Sequence, residues 1–268
     1  MKICFIIIFL FISIAASAQS KLIQQLDSIA ATASGTPQIK HLFAKLYKNT
    51  TISIDEAMCR RVYTDTVIGP SYHDSNFIKI LEDSFALLFY KAINTYPSKN
   101  LPQGWQLALN DSVTEKITTL QKLLLAINAH INDDLLQALL SANITDKPVE
   151  RKQDLDEAAI RIFSVLNTTV VKFMQQFKHI PITDRLMFNY ARKKMKRFVY
   201  KERNAIWQRF MIITAKPALK AAMLNKQEAV SKYYADIILH PPGAAKFFFK
   251  KIKRKYVLSE KVFFDKVL

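Results

Sequence analysis

The chain of 268 residues carries 39 lysines and arginines against 22 aspartates and glutamates, which gives a formal net charge of +17, and half of its residues are hydrophobic. It has only four glycines, and none of them lies in a Gly-x-Gly or Walker pattern, which excludes the usual phosphate-binding loops. Two cysteines are too few for a cysteine-based zinc cluster.

The N-terminus has the pattern of a secretory signal peptide. Lys2 forms a short basic region, an apolar run follows from Ile3 to Ile14, and Ala16-Ser17-Ala18 provides a cleavage site of small residues. The apolar run is shorter than the roughly 20 residues that a membrane span needs. We therefore expect residues 1–18 to be removed and the mature protein to be periplasmic or secreted, with an uncleaved anchor as the alternative. Cleavage would leave Cys59 as the single cysteine, which rules out an intrachain disulfide.

Long segments with apolar residues at a 3.6-residue period, without Asn-Gly or Asp-Gly hairpin signals, predict an all-α protein. A single multi-helix bundle over residues 19–242 is the most economical architecture. The pair Pro241-Pro242 marks its boundary with a basic, aromatic tail, residues 243–268. The predicted helices span residues 21–32, 37–48, 75–95, 111–142, 154–177, 183–214, 217–224 and 226–239, with a C-terminal piece from about Ala244.

The segment 111–142 is predicted to be a long, buried central helix because it is apolar around most of its circumference. Its middle nevertheless holds five polar residues within seven positions. A buried polar group without a partner costs roughly 1–3 kcal/mol, so these residues need partners, solvent or a function. The sequence thus locates a candidate site without identifying a reaction. The five residues are Asn128, His130, Asn132, Asp133 and Asp134.

Residues four apart lie on one face of a helix, so His130 should lie next to Asp134. Asn128 and Asn132 should pair in the same way on nearly the opposite side. His-x-x-x-Asp can supply two ligands of a divalent metal such as zinc, or a carboxylate that orients an imidazole acting as a general base. A hydrogen bond that satisfies two interior groups is the structural alternative. Glu82, on the inward face of the helix 75–95, is the best candidate for a third metal ligand.

Two functional hypotheses follow from this cluster. In the first, the four residues line one polar pocket for a hydrolysis assisted by a metal or by His130, in which His130 and Asp134 are catalytic and Asn128 and Asn132 bind substrate. In the second, the cluster is structural and the protein is a noncatalytic, envelope-associated binding protein. Weaker candidates for additional ligands are His41, His73, Asp154 and Asp156.

The same segment resembles the signature of a family of uncharacterised bacterial proteins. Residues 123–135, followed by Ala138-Leu139, match a pattern that runs roughly Leu-Leu-Gly-x-Asn-Ala-His-Ile-Asn-x-Asp-Leu. The resemblance implies a helical fold and identifies Asn128, His130, Asn132 and Asp134 as the family's polar positions, but it implies no activity or cofactor. Weaker matches in family order are Phe43-Ala-Lys-Leu-Tyr47, residues 81–86 with Tyr90, Trp105 with Ala108, and Ala205-Ile-Trp207.

The chain departs from this family pattern at three positions. Ala126 replaces a glycine, Glu82 replaces an aspartate, and Leu155 stands where some relatives carry a histidine next to Asp154. If that histidine were a metal ligand, this chain would lack it, which weakens the metal hypothesis.

Positive charge is concentrated in two regions. Residues 192–197 with Lys201 and Arg203 predict a basic face on the helix 183–214, and the tail from Lys246 to Lys255 mixes cations with phenylalanines. Such a tail suits an anionic membrane surface, with nucleic acid as a weaker alternative. A lysine-rich soluble surface, with the phenylalanines 247–249 packed on the bundle, would explain the same residues without any partner.

Overall fold

The computed structural model describes residues 21–31, 39–59, 72–143, 145–175, 182–243, 245–247 and 249–250. These residues form helices, turns and bends and contain no strand, which confirms the predicted all-α class. The predicted signal peptide and most of the basic tail lie outside the described residues. None of the helices in the described part is both long and apolar enough to cross a bilayer.

The helical elements follow one another with short connections. In chain order they are α1 (Lys21–Ala31), α2 (Ile39–Cys59), α3 (Ser75–Thr95), α4 (Gln103–Leu109), α5 (Asp111–Thr114), α6 (Thr119–Ala129), a π-helical segment (His130–Asp134), α7 (Leu135–Ala142), α8 (Pro148–Gln175), α9 (Ile182–Ala215), a 3-10 turn (Pro217–Leu219) and α10 (Lys220–Leu239).

The helix predicted over 111–142 begins later than expected, at Thr119. Its start is fixed by a capping box, in which Thr118 Oγ1 accepts from the Gln121 N–H and Gln121 Oε1 accepts from the Thr118 N–H, both at 3.1 Å. Residues 111–114 form the separate turn α5. The predicted continuous helix from Asp111 is therefore wrong at its N-terminal end.

Other boundaries also differ from the predictions. α2 runs on to Cys59, and α8 begins at Pro148, where the missing N–H of proline costs nothing in a first helical turn. The two helices predicted over 217–224 and 226–239 are one helix, α10, preceded by a 3-10 turn. The short helix α4 had no counterpart among the predicted helices.

α6, the π-helical segment and α7 form one continuous helix over residues 119–142, here called the central helix. α6 packs against α2, α4 and α10, while α7 packs against α3 and α9. The π-helical segment contacts α3, α4, α9 and α10. The polar cluster of the sequence is therefore enclosed by four other helices.

The apolar side chains form two clusters that meet beside the π-helical segment. The first includes Phe43, Phe89 and Trp105, and the second includes Phe77 and Phe210. Three partly buried side chains pack against both clusters, so they mark the junction between them. These are Phe85, Ile131 and Ile162.

Candidate functional site

The polar cluster lies on and just before a single turn of π-helix. A π-helix closes hydrogen bonds between residues five apart, and such turns occur mostly as short insertions in α-helices, often at functional sites. All five polar residues are buried: Asn128 and Asn132 are 0% exposed, and His130, Asp133 and Asp134 are at most 6% exposed. Each of them must therefore find partners inside the protein.

His130 and Asp134 pair with each other, as the spacing predicts. His130 Nδ1 lies 2.9 Å from Asp134 Oδ2. Trp105 Nε1–H donates to both oxygens of Asp134, at 3.0 and 2.9 Å. Burial raises the pKa of Asp134 well above its usual value, and the Trp105 donor partly offsets this increase. The carboxyl group is thus fixed between two helices, α4 and the central helix.

The other side of His130 is surrounded by aromatic rings. The Phe85 ring stacks on the imidazole with 3.5 Å between ring centroids, and the rings of Phe43, Tyr47 and Trp105 meet it edge-on. Burial lowers the pKa of His130 well below its usual value, so its imidazole is held neutral. His130 Nε2 is buried and has no hydrogen-bond partner among the described residues.

A cavity of about 110 Å³ adjoins His130 at the junction of the two apolar clusters. Its wall is formed by α2, α3, the central helix, α8 and α9, and is largely apolar. Phe85, Ile131 and Ile162, which pack against both clusters, all contribute to it. The side chains in the wall that carry polar groups are Tyr47, Thr50, Glu82, His130 and Arg203.

Glu82 shares this cavity with His130, as its inward position in the sequence suggested. Its Oε2 accepts from Lys79 Nζ at 3.3 Å, whereas its buried Oε1 has no hydrogen-bond partner in the described part of the chain. Burial, with a smaller contribution from Asp55, raises the pKa of Glu82 to about 7, and Lys79 opposes the shift. The carboxyl group therefore changes its charge near neutral pH.

Asn128 and Asn132 do not line this cavity, so the structure does not bring the four predicted residues into one pocket. They pair as expected, with Asn132 Nδ2 donating to Asn128 Oδ1 at 2.9 Å, but they face α10. Asn128 Nδ2 donates to the Ser231 carbonyl at 2.9 Å. Asn132 Oδ1 accepts from Gln227 Nε2 at 2.9 Å. Their amide groups are thus used in helix packing, and the predicted role in substrate binding does not fit this geometry.

The Asp133 side chain lies towards α4 and α10. A Cβ atom on Gly104 would lie 2.3 Å from Asp133 Oδ2 and 2.4 Å from Ser231 Oγ, so only glycine permits this close approach. Burial and the neighbouring Asp134 raise the pKa of Asp133 well above its usual value. A protonated carboxyl group at this position avoids a second buried negative charge beside Asp134.

The remaining candidate ligands have structural partners. His41 Nδ1 donates to the Ile29 carbonyl at 2.6 Å. Asp154, which is fully buried, accepts from the backbone N–H groups of His73 and Asp74 at 2.7 and 3.0 Å and so anchors the start of α3 to α8. Asp156 pairs with Arg203. Within the described residues no three His, Cys, Asp or Glu side chains are grouped so that they could hold a metal ion. The proposed ligand set of His130, Asp134 and Glu82 is therefore not assembled.

A model of a family of unknown function, DUF5995, matches residues 20–241. The match covers most of the chain. The chain belongs to this family. Membership of an uncharacterised family, expected from the central motif, is thus confirmed. No curated protein and no solved structure matches the chain.

In this DUF5995 protein three of the four weaker sequence matches converge on His130. Phe43 and Tyr47 come from the first matched element, Phe85 from the second and Trp105 from the third, and all four rings lie around the imidazole. No role in the site was predicted for these aromatic residues from the sequence. Their order along the family pattern was the signal that could have identified them.

Arg203 also lies in an environment that differs from the predicted one. We expected it on a solvent-exposed basic face, but it is 4% exposed and lies in the cavity wall. Lys193, Lys194, Lys196 and Arg197 are exposed, as a basic face requires. In the described part of the tail, Phe249 packs against the first apolar cluster, whereas Phe247 is 75% exposed.

The first prediction concerns the hydrogen bonds that the side-chain amides of Asn128 and Asn132 make with α10. Asn128→Asp replaces the donor that faces the Ser231 carbonyl by an oxygen and buries an acidic group. The free energy of unfolding should fall by about 2–4 kcal/mol in urea denaturation. The same change at the exposed Asn225 is the control and should alter it by less than about 0.5 kcal/mol. Equal effects of the two substitutions would show that the Asn128 side chain does not make the buried hydrogen bonds described above.

The second prediction concerns Glu82. Its pKa is about 7 in the folded protein against 4.5 when unperturbed, so the folded state retains a proton that the unfolded state releases. The free energy of unfolding should therefore fall as the pH rises through this window and level off above it. Glu82→Gln removes this pH dependence. The free energy of unfolding of the variant minus that of the parent protein should therefore increase by roughly 2–3 kcal/mol as the pH rises from about 4 to 8.

The control for this measurement is Asp83→Asn, which removes the adjacent carboxylate, whose side chain is 61% exposed. Because this group stays in solvent, the stability of the variant relative to the parent should change little with pH. Parallel stability profiles for Glu82→Gln and the parent protein would show that Glu82 is not buried as described.

Proposed function

We propose that this DUF5995 protein is an exported binding protein that holds a small, largely apolar molecule in the cavity beside His130. The cavity carries the proposal, since ligand sites are typically apolar hollows with a few convergent polar groups. Here the polar groups in the wall are few and buried, and those of His130, Glu82 and Arg203 include atoms without a partner in the described residues. The signal-like pattern of residues 1–18 supports export.

The volume of the cavity limits the size of the ligand. An engineered apolar cavity of about 150 Å³ in another protein accommodates benzene. A cavity of about 110 Å³ is somewhat smaller. It suits an apolar group of about five or six carbon atoms, with some adjustment of the surrounding side chains.

The polar cluster then has two separate functions. Asn128 and Asn132 fasten α10 to the central helix, and Trp105 and Asp134 hold the imidazole of His130 at the cavity wall. This division supports the binding hypothesis, because most of the cluster is occupied with interhelical contacts.

The third prediction tests binding by filling the cavity. Ala159 is 4% exposed and lies in the wall, so Ala159→Leu would place three further carbon atoms in the cavity. Benzene should raise the midpoint of thermal unfolding of the parent protein by mass action. It should leave that of Ala159→Leu unchanged. The same substitution at the exposed Ala222 is the control and should preserve the response to benzene. If benzene stabilises Ala159→Leu as much as the parent protein, this cavity is not the binding site.

A second candidate function is hydrolysis of a small ester with His130 as the general base. The observation that favours it is the unpartnered Nε2 of His130 in the cavity wall, with Nδ1 held by Asp134. With the proton on Nδ1, Nε2 can take a proton from water while the water oxygen bonds to the acyl carbon. The imidazolium then returns the proton to the departing alkoxide as the ester C–O bond breaks. Asp134 would stabilise the transient positive charge on the ring.

The fourth prediction tests this route with methyl butyrate, an ester of the size that the cavity suits. If His130 is the base, His130→Gln should lower kcat/KM at least about 100-fold. His240→Gln is the control, because the His240 side chain is 75% exposed, and it should leave kcat/KM unchanged. A rate that is the same for the parent protein and His130→Gln would reject hydrolysis by His130 and leave the binding function untouched.

A further inference from the structure

Arg203 forms part of the wall of the apolar cavity and has buried donors without a partner in the described part of the chain. Its Nη2 lies 3.0 Å from Asp156 Oδ1 and 3.5 Å from Asn204 Oδ1. Its Nε and Nη1 are buried and have no hydrogen-bond partner among the described residues. A charged donor that is removed from water without an acceptor is costly, so this arrangement calls for an acceptor that the described residues do not supply.

The ion pair between Arg203 and Asp156 is shared with a second cation. Its ion-pair partner Asp156 also accepts from Lys152 Nζ, so two cations share one carboxylate. The Asp156 side chain is 39% exposed, and solvent therefore weakens the pair. The guanidinium also lies over the Tyr200 ring, at 4.6 Å from its centroid, which offsets part of its desolvation without neutralising the charge. Lys152 and Arg203 together thus carry one positive charge more than the carboxylate that they share.

We infer that Arg203 binds the carboxylate of the ligand, which is therefore a small carboxylate with an apolar body of about five or six carbon atoms. This inference rests on the proposed binding function and specifies its ligand class. A carboxylate provides both the missing negative charge and acceptors for the free N–H groups, and Arg–carboxylate hydrogen bonds are among the strongest in proteins. A neutral apolar ligand would leave these donors unpaired.

The experiment compares hexanoate with 1-hexanol, which have the same number of carbon atoms and differ in charge. Binding is measured by isothermal titration calorimetry near pH 6, where a simple carboxylic acid is ionised. The parent protein should bind hexanoate at least about tenfold more tightly than hexanol. Arg203→Met keeps an apolar side chain in the wall and should abolish this preference, while the affinity for hexanol should stay within about threefold.

Asp156→Asn is the matched control. It removes the ion-pair partner but retains Arg203, so the preference for hexanoate should persist or increase. Circular dichroism checks that each variant is folded. If Arg203→Met does not fold, the preference of the parent protein and that of Asp156→Asn still decide the question.

The outcomes separate this inference from the function on which it rests. Equal affinity of the parent protein for hexanoate and hexanol, or an unchanged preference in Arg203→Met, would overturn the role of Arg203 while binding itself stands. If neither benzene nor hexanol nor hexanoate binds the parent protein, the proposed binding function fails as a whole.

Discussion

The fold depends on satisfying the polar side chains of a helix that is enclosed by its neighbours. A hydrogen-bond chain runs in one direction through this region: Arg209 donates to Gln227, Gln227 to Asn132, Asn132 to Asn128, and Asn128 to the Ser231 carbonyl. Donors aligned in this way strengthen one another in a low-dielectric interior. Because the partners come from α9 and α10, the chain fixes how these helices are positioned along the central helix. Apolar packing alone would leave that position less well defined.

On the opposite side of the central helix the same requirement is met only in part. Trp105 satisfies the Asp134 carboxyl group and Asp134 satisfies one nitrogen of His130. The second nitrogen has no hydrogen-bond partner among the described residues. In the part of the chain that the structure describes, Glu82 and Arg203 likewise have buried atoms without a partner, and all three residues line the same cavity. Unpaired buried polar atoms also occur away from the cavity, as at Asp133 and Tyr72, so it is the position of these three residues beside an apolar hollow that supports the proposed binding function.

Helical periodicity predicted the contacts within the central helix but not those between helices. The pairs His130–Asp134 and Asn128–Asn132 followed from their spacing, which also placed them on nearly opposite sides of the helix. That placement already argued against one shared pocket. The partner of Asn128, Ser231, lies 103 positions away in sequence, and no periodicity connects the two. Arg203 was taken for a surface residue because it belongs to a cationic run, whereas its burial results from packing next to α8. The start of the central helix could have been predicted, since Thr118 and Gln121 form a recognisable capping box.

Of the three departures from the family pattern, two lie in the cavity wall and one lies outside it. Glu82 and Leu155, where the chain departs from the family pattern that it resembles, both line the cavity. Ala126, in place of a glycine, is fully buried in the first apolar cluster, away from the cavity wall. By contrast, Asn128, His130, Asn132 and Asp134 match the pattern, and they hold the surrounding helices or orient the imidazole. A histidine at position 155 would add a second imidazole to the wall, and leucine makes the wall more apolar.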